Sequence, residues 1–236
     1  MRYAMSQAVA SVTLMLAGPV IPLAAQGTAA PGSSTHGADV ALGLRVSTLG
    51  LGLEVGKQLM DHLSLRIGGN TGSFNKNGKQ QTDITYDIHL RLKAVEALLD
   101  LYPGARGNFH FTGGLLTDPM KITANAQPTS SGTFKINNHT YTTAQVGVLT
   151  GVGKFPGASP YFGIGFGTPA RKGGRVKFLF DLGASIGKPT ITLTATGAAN
   201  SPQLAADLNA QIASTQKDLD KLKAYPVLSF GLAFHF

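Results

Sequence analysis

The sequence of 236 residues has no cysteine and no tryptophan, and 14% of its residues are charged against 43% hydrophobic. Without cysteine there is no disulfide framework, no thiolate metal site and no attachment point for an N-terminal lipid anchor. Acidic residues are few, 12 against 20 Lys and Arg, for a formal charge of +8. A basic balance can mean nucleic acid. Here the Lys and Arg stand singly, with no Arg-rich run and no aromatic-interleaved RNA motif, so no nucleic-acid partner is expected. The charge is read instead as loops facing anionic lipid headgroups. Beyond residue 25 no apolar run is long enough for a membrane helix. A membrane location then demands a closed barrel, because an open sheet edge in lipid leaves backbone groups unpaired. His36, His62, His89, His110, His139 and His235 show no paired spacing for a metal. The glycine-rich stretch 163–167 lacks the Gly-Lys-Ser/Thr ending of a phosphate loop. No metal and no cofactor are expected.

What is present begins with an address. Residues 1–25 carry Arg2, an apolar stretch over 8–17, then Pro19, Pro22 and Leu23-Ala24-Ala25. This is the pattern of a secretory signal peptide. Cleavage after Ala25, Ala29 or Ala30 is compatible with it. Residues 26–37, rich in Gly, Ser, Thr, Ala and Pro, read as a flexible lead-in, and 38–236 as one all-β domain.

That domain is written in a period of two. Val40, Leu42, Leu44 and Val46 are followed by Leu49, Leu51, Leu53 and Val55, so the phase flips near Gly50. A flip means a tight turn or a bulge, and a turn gives two strands of membrane-spanning length. Leu63, Leu65 and Ile67 start a third strand after a turn at 60–62, and residues 74–83 read as an outer loop. Ile84, Tyr86, Ile88, Leu90, Leu92 and Ala94 form the apolar face of a fourth strand, opposite Thr85, Asp87, His89, Arg91 and Lys93. A second flip near Val95-Glu96 leaves Ala97, Leu99 and Leu101 apolar. By propensity 93–101 can also be a helix, but the flanking alternation favours a bulged strand. A fifth strand runs from Phe109 to about Ala126. A polar insertion follows over 127–158, with a small hairpin around Asn137-Asn138. The sixth strand sets Phe162, Ile164 and Phe166 against Gly163, Gly165 and Gly167. The seventh runs from Val176 to Ile186, switches phase at Lys188-Pro189 and continues through Ile191, Leu193 and Ala195. Then the period changes: Ser201 caps a helix with Pro202 at its first position, and Leu204, Leu208, Ile212, Leu219 and Leu222 fall near one face.

The eighth strand closes the argument. In residues 225–236 the even positions from Leu228 are Leu, Phe, Leu, Phe and Phe, and the odd ones Ser, Gly, Ala and His. An alternating last strand ending in Phe236, together with the short hairpin around Asp61, resembles the small bacterial outer-membrane β-barrels of the OmpA-type, OmpW-type and opacity-protein group. The resemblance implies an eight-stranded antiparallel transmembrane barrel, with one amphipathic helix in its last long loop and without the periplasmic C-terminal domain of OmpA-type proteins. It implies residence in the cell outer membrane among outer-membrane lipid and lipopolysaccharide. It also implies an assembly signal, Phe236 with Phe234, read by the barrel-assembly machinery.

If the bulky face meets lipid, the other face fills the barrel with Arg45, Glu54, Arg66, Asp87, His89, Arg91, Lys93, Glu96, His110, Lys177 and Asp181. Both signs are present, so cross-strand ion pairs can form, and eight strands leave room for little more than side chains. The expectation is a non-enzymatic protein of envelope structure, of surface interaction through 127–158 and 197–223, or of porin-like passage of small solutes. Two alternatives stand beside it. One is a lipid-modifying enzyme built on Ser64, His110 and Glu54, whose spacing carries no motif. The other is a soluble barrel with the Phe/Leu face inside around an apolar ligand. Periodicity does not say which face is which.

Overall fold

The computed structural model describes residues 40–76, 86–104, 107–117, 120–126, 132–168 and 175–235. The signal and lead-in segments, loop residues 77–83, Ile84, Thr85 and Phe236 lie outside them. The described residues form thirteen strands and two α-helices: β1 Val40–Ser47, β2 Gly50–Met60, β3 Leu63–Lys76, β4 Tyr86–Leu101, β5 Phe109–Thr117, β6 Lys121–Ala126, β7 Thr133–Ile136, β8 His139–Thr142, α1 Thr143–Val146, β9 Leu149–Lys154, β10 Ala158–Phe166, β11 Val176–Ile186, β12 Thr190–Ala195, α2 Pro202–Leu219 and β13 Ala224–His235. Eleven strands make one antiparallel sheet, and β7 and β8 pair as a separate hairpin. From β4 the pairings pass through β3, β2, β1, β13, β11, β10 and β5 and arrive back at β4, whose residues 95–101 pair with β5.

The strand count departs from the expected eight because three long strands are interrupted. Thr117 faces Val95 and Lys121 faces Arg91, four steps on each side, so β5 and β6 continue one register along β4. Likewise Ala158 faces Thr117 and Lys154 faces Lys121, so β9 and β10 continue one line across the gap at 155–157. The sixth strand therefore starts at Leu149, within the expected insertion. β12 follows β11 after residues 187–189, where Pro189 has no N–H to give to a ladder. The expected outer loop also begins later, since β3 runs to Lys76.

Two expected phase changes turn out not to be changes of direction. β4 keeps an unbroken register with β3 from Leu63↔Leu101 to Lys76↔Ile88. Its even residues from Leu90 to Asp100 are buried and its odd residues exposed throughout. It is neither helical nor bulged at 95–96. Below that point the outward face is Val95, Ala97, Leu99 and Leu101; above it, Lys93, Arg91 and His89. The inward face changes the opposite way, from Glu96 and Asp100 to Ala94, Leu92 and Leu90. The seventh strand repeats this, with odd residues inward in both β11 and β12 while Asp181 gives way to Ile191 and Leu193. The change near Gly50 is a true turn between β1 and β2.

The sheet thus has two zones. In one, bulky apolar side chains face out, among them Leu44, Leu53, Phe111, Phe162, Phe178 and Phe230, each 47–62% exposed. This is the reverse of a soluble barrel lined by its Phe/Leu face. On β11 the belt runs from Val176 to Ile186, about 33 Å of strand, or about 25 Å of height at the usual tilt of membrane strands. In the second zone β3, β4, β6, β9 and β12 rise above the belt. The inner face of β6, β9 and β12 carries a compact cap of the β7–β8 hairpin, α1 and α2, packed through Phe134, Ile136, Leu149, Leu193, Leu204 and Leu208. Val40, His235, the connection at 61–62 and residues 102–104 and 107–108 lie at the end of the sheet away from the cap.

Candidate functional site

The interior enclosed by the apolar belt is built around two guanidinium groups. Alternation turns Arg45 of β1 and Arg66 of β3 inward, and both are almost wholly buried. Arg45 pairs with Glu54 of β2 and, at 2.6 Å, with Glu96 of β4. Arg66 reaches across the interior. Its Nε lies 2.6 Å from Asp100 Oδ2 on β4, its Nη2 2.9 Å from Asp181 Oδ1 on β11, and its Nη1 3.6 Å from Glu54. His110 Nε2 sits 3.1 Å from Asp181, and Thr112 donates to Asp100 at 2.8 Å. Such planar, bidentate pairing is what arginine provides and lysine does not. Small residues make the room: a Cβ on Gly165 would stand 2.2 Å from His110 Nε2 and 2.6 Å from Asp181 Oδ1. That gives the alternate glycines of the sixth strand their purpose. Two arginines face four carboxylates, so the cluster carries a formal −2 with His110 neutral. Against it packs an apolar layer of Leu49, Ala94, Leu98, Leu116, Tyr161 and Val227.

Of the residues read as interior from the sequence, Arg45, Glu54, Arg66, Glu96, His110 and Asp181 are brought together here. Lys177 is half-buried, its Nζ 3.4 Å from Thr168 Oγ1. His89, Arg91 and Lys93 are instead exposed on the outward face, and Asp87, half-buried, shares their side of β4. The assignment fails there because above Val95 the apolar residues Leu90 and Leu92 of β4 turn inward, where they pack with Met120 and Phe155. Phe234 does face outward, opposite Leu42 and Val176. Asp100 and Thr112 escaped the sequence reading. Asp100 shares the parity of Glu96 on a strand that never changes face, and that was the available signal. Ser64, His110 and Glu54 are not joined as a triad: Ser64 Oγ donates to Gln58, while His110 and Glu54 engage Asp181 and Arg45.

The cap has its own polar centre. Asn137 and Asn138 take positive φ, 45° and 67°, at the β7–β8 turn, a conformation Asn tolerates. The turn sets Asn137 and His139 beside α2, whose Ser201 side chain accepts from Leu204 N and whose first residue is Pro202. Asp207 on the buried face of α2 accepts from Tyr141 Oη and from Asn137 Nδ2 (3.0 Å), and lies 2.7 Å from His139 Nδ1. The Tyr141 bond, with those from Asn137, Gln203 and His139, holds the Asp207 carboxyl well below the usual aspartate range. In return Tyr141 is pushed up to about 12. The buried face is Leu204, Asp207, Leu208, Gln211, Thr215 and Leu219, with Ile212 half-buried and Leu222, beyond the helix, exposed.

No protein-family model matches the chain, and no curated protein matches it either. Solved structures do. Acinetobacter baumannii CarO aligns over 86% of this chain and 100% of its own, with 20% identity and a TM-score of 0.54. A. baumannii CarO2 aligns over 84% and 98%, with 16% identity and a TM-score of 0.55. The fold is that of an outer-membrane β-barrel protein. A major outer membrane protein from Thermus thermophilus also aligns, over 85% of this chain and 100% of its own, with 10% identity and a TM-score of 0.41.

Proposed function

We propose that the chain is an eight-stranded transmembrane barrel of the outer membrane, non-enzymatic, whose lumen is shut and whose cap is a surface for interaction. The circuit of pairings through β4 and back supports closure, with the three interrupted strands counted as one each. Closure also meets the demand of lipid that every backbone polar group be paired. The observation that carries the functional reading is the Arg66 cluster. A guanidinium 1% exposed, tied to strands on opposite sides of the interior, blocks the path a solute would take. The apolar layer packed against it and the cap add two further barriers. An envelope role, with the cap segments 132–148 and 197–223 offered to a partner, fits this arrangement better than porin-like passage; residues 149–154 of the expected loop are strand. The surrounding lipid, lipopolysaccharide included, and the barrel-assembly machinery are the partners this reading calls for. A non-enzymatic role is supported by the engagement of His110 with carboxylates rather than with a hydroxyl nucleophile.

The test is conductance in a planar bilayer. The refolded chain is expected to show no steady ohmic current. Arg66→Gln combined with Asp181→Asn, which empties the cross-lumen pair, is expected to admit small ions. A steady conductance in the unaltered chain would overturn the closed reading.

A further inference from the structure

The tall wall presents to the outside a row of cations that the lumen and the cap do not use. Arg91 of β4 faces Lys121 of β6, and Lys121 faces Lys154 of β9. All three are exposed, and Lys93 is exposed two steps lower on β4. Neighbouring strands lie about 4.8 Å apart, so Arg91, Lys121 and Lys154 span about 10 Å in a line. Like charges directly opposite one another on a sheet are destabilising. None of the four has an ion-pair partner among the described residues. The acid on the same side of β4, Asp87, is half-buried and four residues further up. Beside the row a shallow groove is lined by Thr71, Ser73, Asn75, His89 and Arg91, which adds hydroxyl and amide groups.

Height decides what such a row meets. On β4 the apolar belt ends at Val95. Lys93 and Arg91 lie two and four residues above it, on the same outward face, about 5 and 10 Å higher at the usual strand tilt. That is the depth of lipid headgroups. We infer that Arg91, Lys121, Lys154 and Lys93 form a binding site for the phosphate groups of outer-leaflet lipid. The inference rests on the barrel reading, which puts this face of the wall against the membrane and, with the short connections at the far end on the periplasmic side, the cap side outside. It places four of the chain's 20 basic residues on a defined strip of sheet. Arginine and lysine in a row neutralise a bound phosphate and are relieved of their mutual repulsion by it.

The test uses the full chain refolded in neutral detergent micelles and titrated with phosphatidic acid, phosphatidylcholine of the same chains, or inorganic phosphate. Binding is read by native mass spectrometry. Phosphatidic acid is expected to bind and phosphatidylcholine to bind far more weakly. The variant R91Q/K121Q/K154Q is expected to lose affinity for phosphatidic acid on the order of a hundredfold, each cation contributing roughly fivefold. A control removing three exposed lysines elsewhere, K57Q/K217Q/K223Q, is expected to keep it. Equal binding by the row variant, or equal loss in the control, would overturn the site. Inorganic phosphate binding as tightly as the lipid would overturn the lipid as its source. Heat-dependent gel mobility of each variant reports the barrel independently. A variant that keeps the shift and still binds lipid refutes the site and leaves the barrel standing.

Discussion

At the scale of single residues, the two sides of the sheet make opposite demands that substitution can separate. Ile164 faces outward on β10, between Phe111 of β5 and Leu182 of β11, and is 44% exposed. In water Ile164→Arg would be nearly free. In a bilayer it is expected to cost about 2–4 kcal/mol, read as a lower urea midpoint for refolding into lipid vesicles. An unchanged midpoint would mean that Ile164 does not meet hydrocarbon. Arg66 makes the inward case. Arg66→Met removes one charge and leaves Asp100 and Asp181 buried without their main partner, which is expected to cost about 3–5 kcal/mol. Asp100→Asn combined with Asp181→Asn in the same background should recover part of that loss, because the uncompensated charges go with it. No recovery would place the cost in lost packing instead. These inward residues were legible in the sequence wherever a charged residue sat in phase with small ones in the belt, as Arg45 does beside Gly43. They were misread where the environment changed and the phase did not, as at Arg91.

At the scale of elements, hydrophobic alternation shows which residues share a face but not what that face touches. β4 is the clear instance. Its apolar residues move from the odd to the even positions at Val95 because the strand rises past the outward apolar belt while its inner side packs Leu90 and Leu92 against Met120, Phe155, Ile122 and Tyr225. A sequence reader sees the same signal that a bulge would give. The cap was partly legible. The Asn137-Asn138 turn and the Ser201-Pro202 helix start are local chemistry, whereas the docking of α2 on the hairpin depends on contacts some 70 residues apart. Asp207 is expected to govern that docking. Its carboxyl titrates below the ordinary value of about 4 in the folded chain. Its hydrogen bonds therefore stabilise fully above that value, and the contribution fades as pH falls through and below it. Amide exchange across residues 202–219, corrected for the intrinsic pH effect, should be slow at neutral pH and faster at about pH 3. Asp207→Asn should be fast at both. Acid acceleration equal in the variant and the unaltered chain would assign the sensitivity to another group.

At the scale of the whole molecule, the number of strands is the quantity the sequence and the fold express differently. Alternation counted eight crossings, and the described residues place eleven strands in the sheet, because the ladders break between β5 and β6, between β9 and β10 and between β11 and β12, while their registers carry on or resume close by. A closed barrel predicts a behaviour that neither count predicts alone. All its backbone bonds inside the belt are made between strands in a ring, so no edge is available for unfolding to start from. The refolded chain is therefore expected to keep its shape in dodecyl sulfate at room temperature and lose it on boiling, giving two gel mobilities. Protease added before boiling should cut first in the segments beyond the belt and leave the belt strands intact. Removing the cap contacts by Leu208→Ala, a cavity worth about 2–5 kcal/mol, should speed cleavage in 197–223 without abolishing the mobility shift. The cap packs on the inner face of the tall wall and adds nothing to the ring of pairings below it. Loss of the shift in that variant would mean that the ring and the cap fold as one unit, and that the mouth is part of what holds the barrel closed.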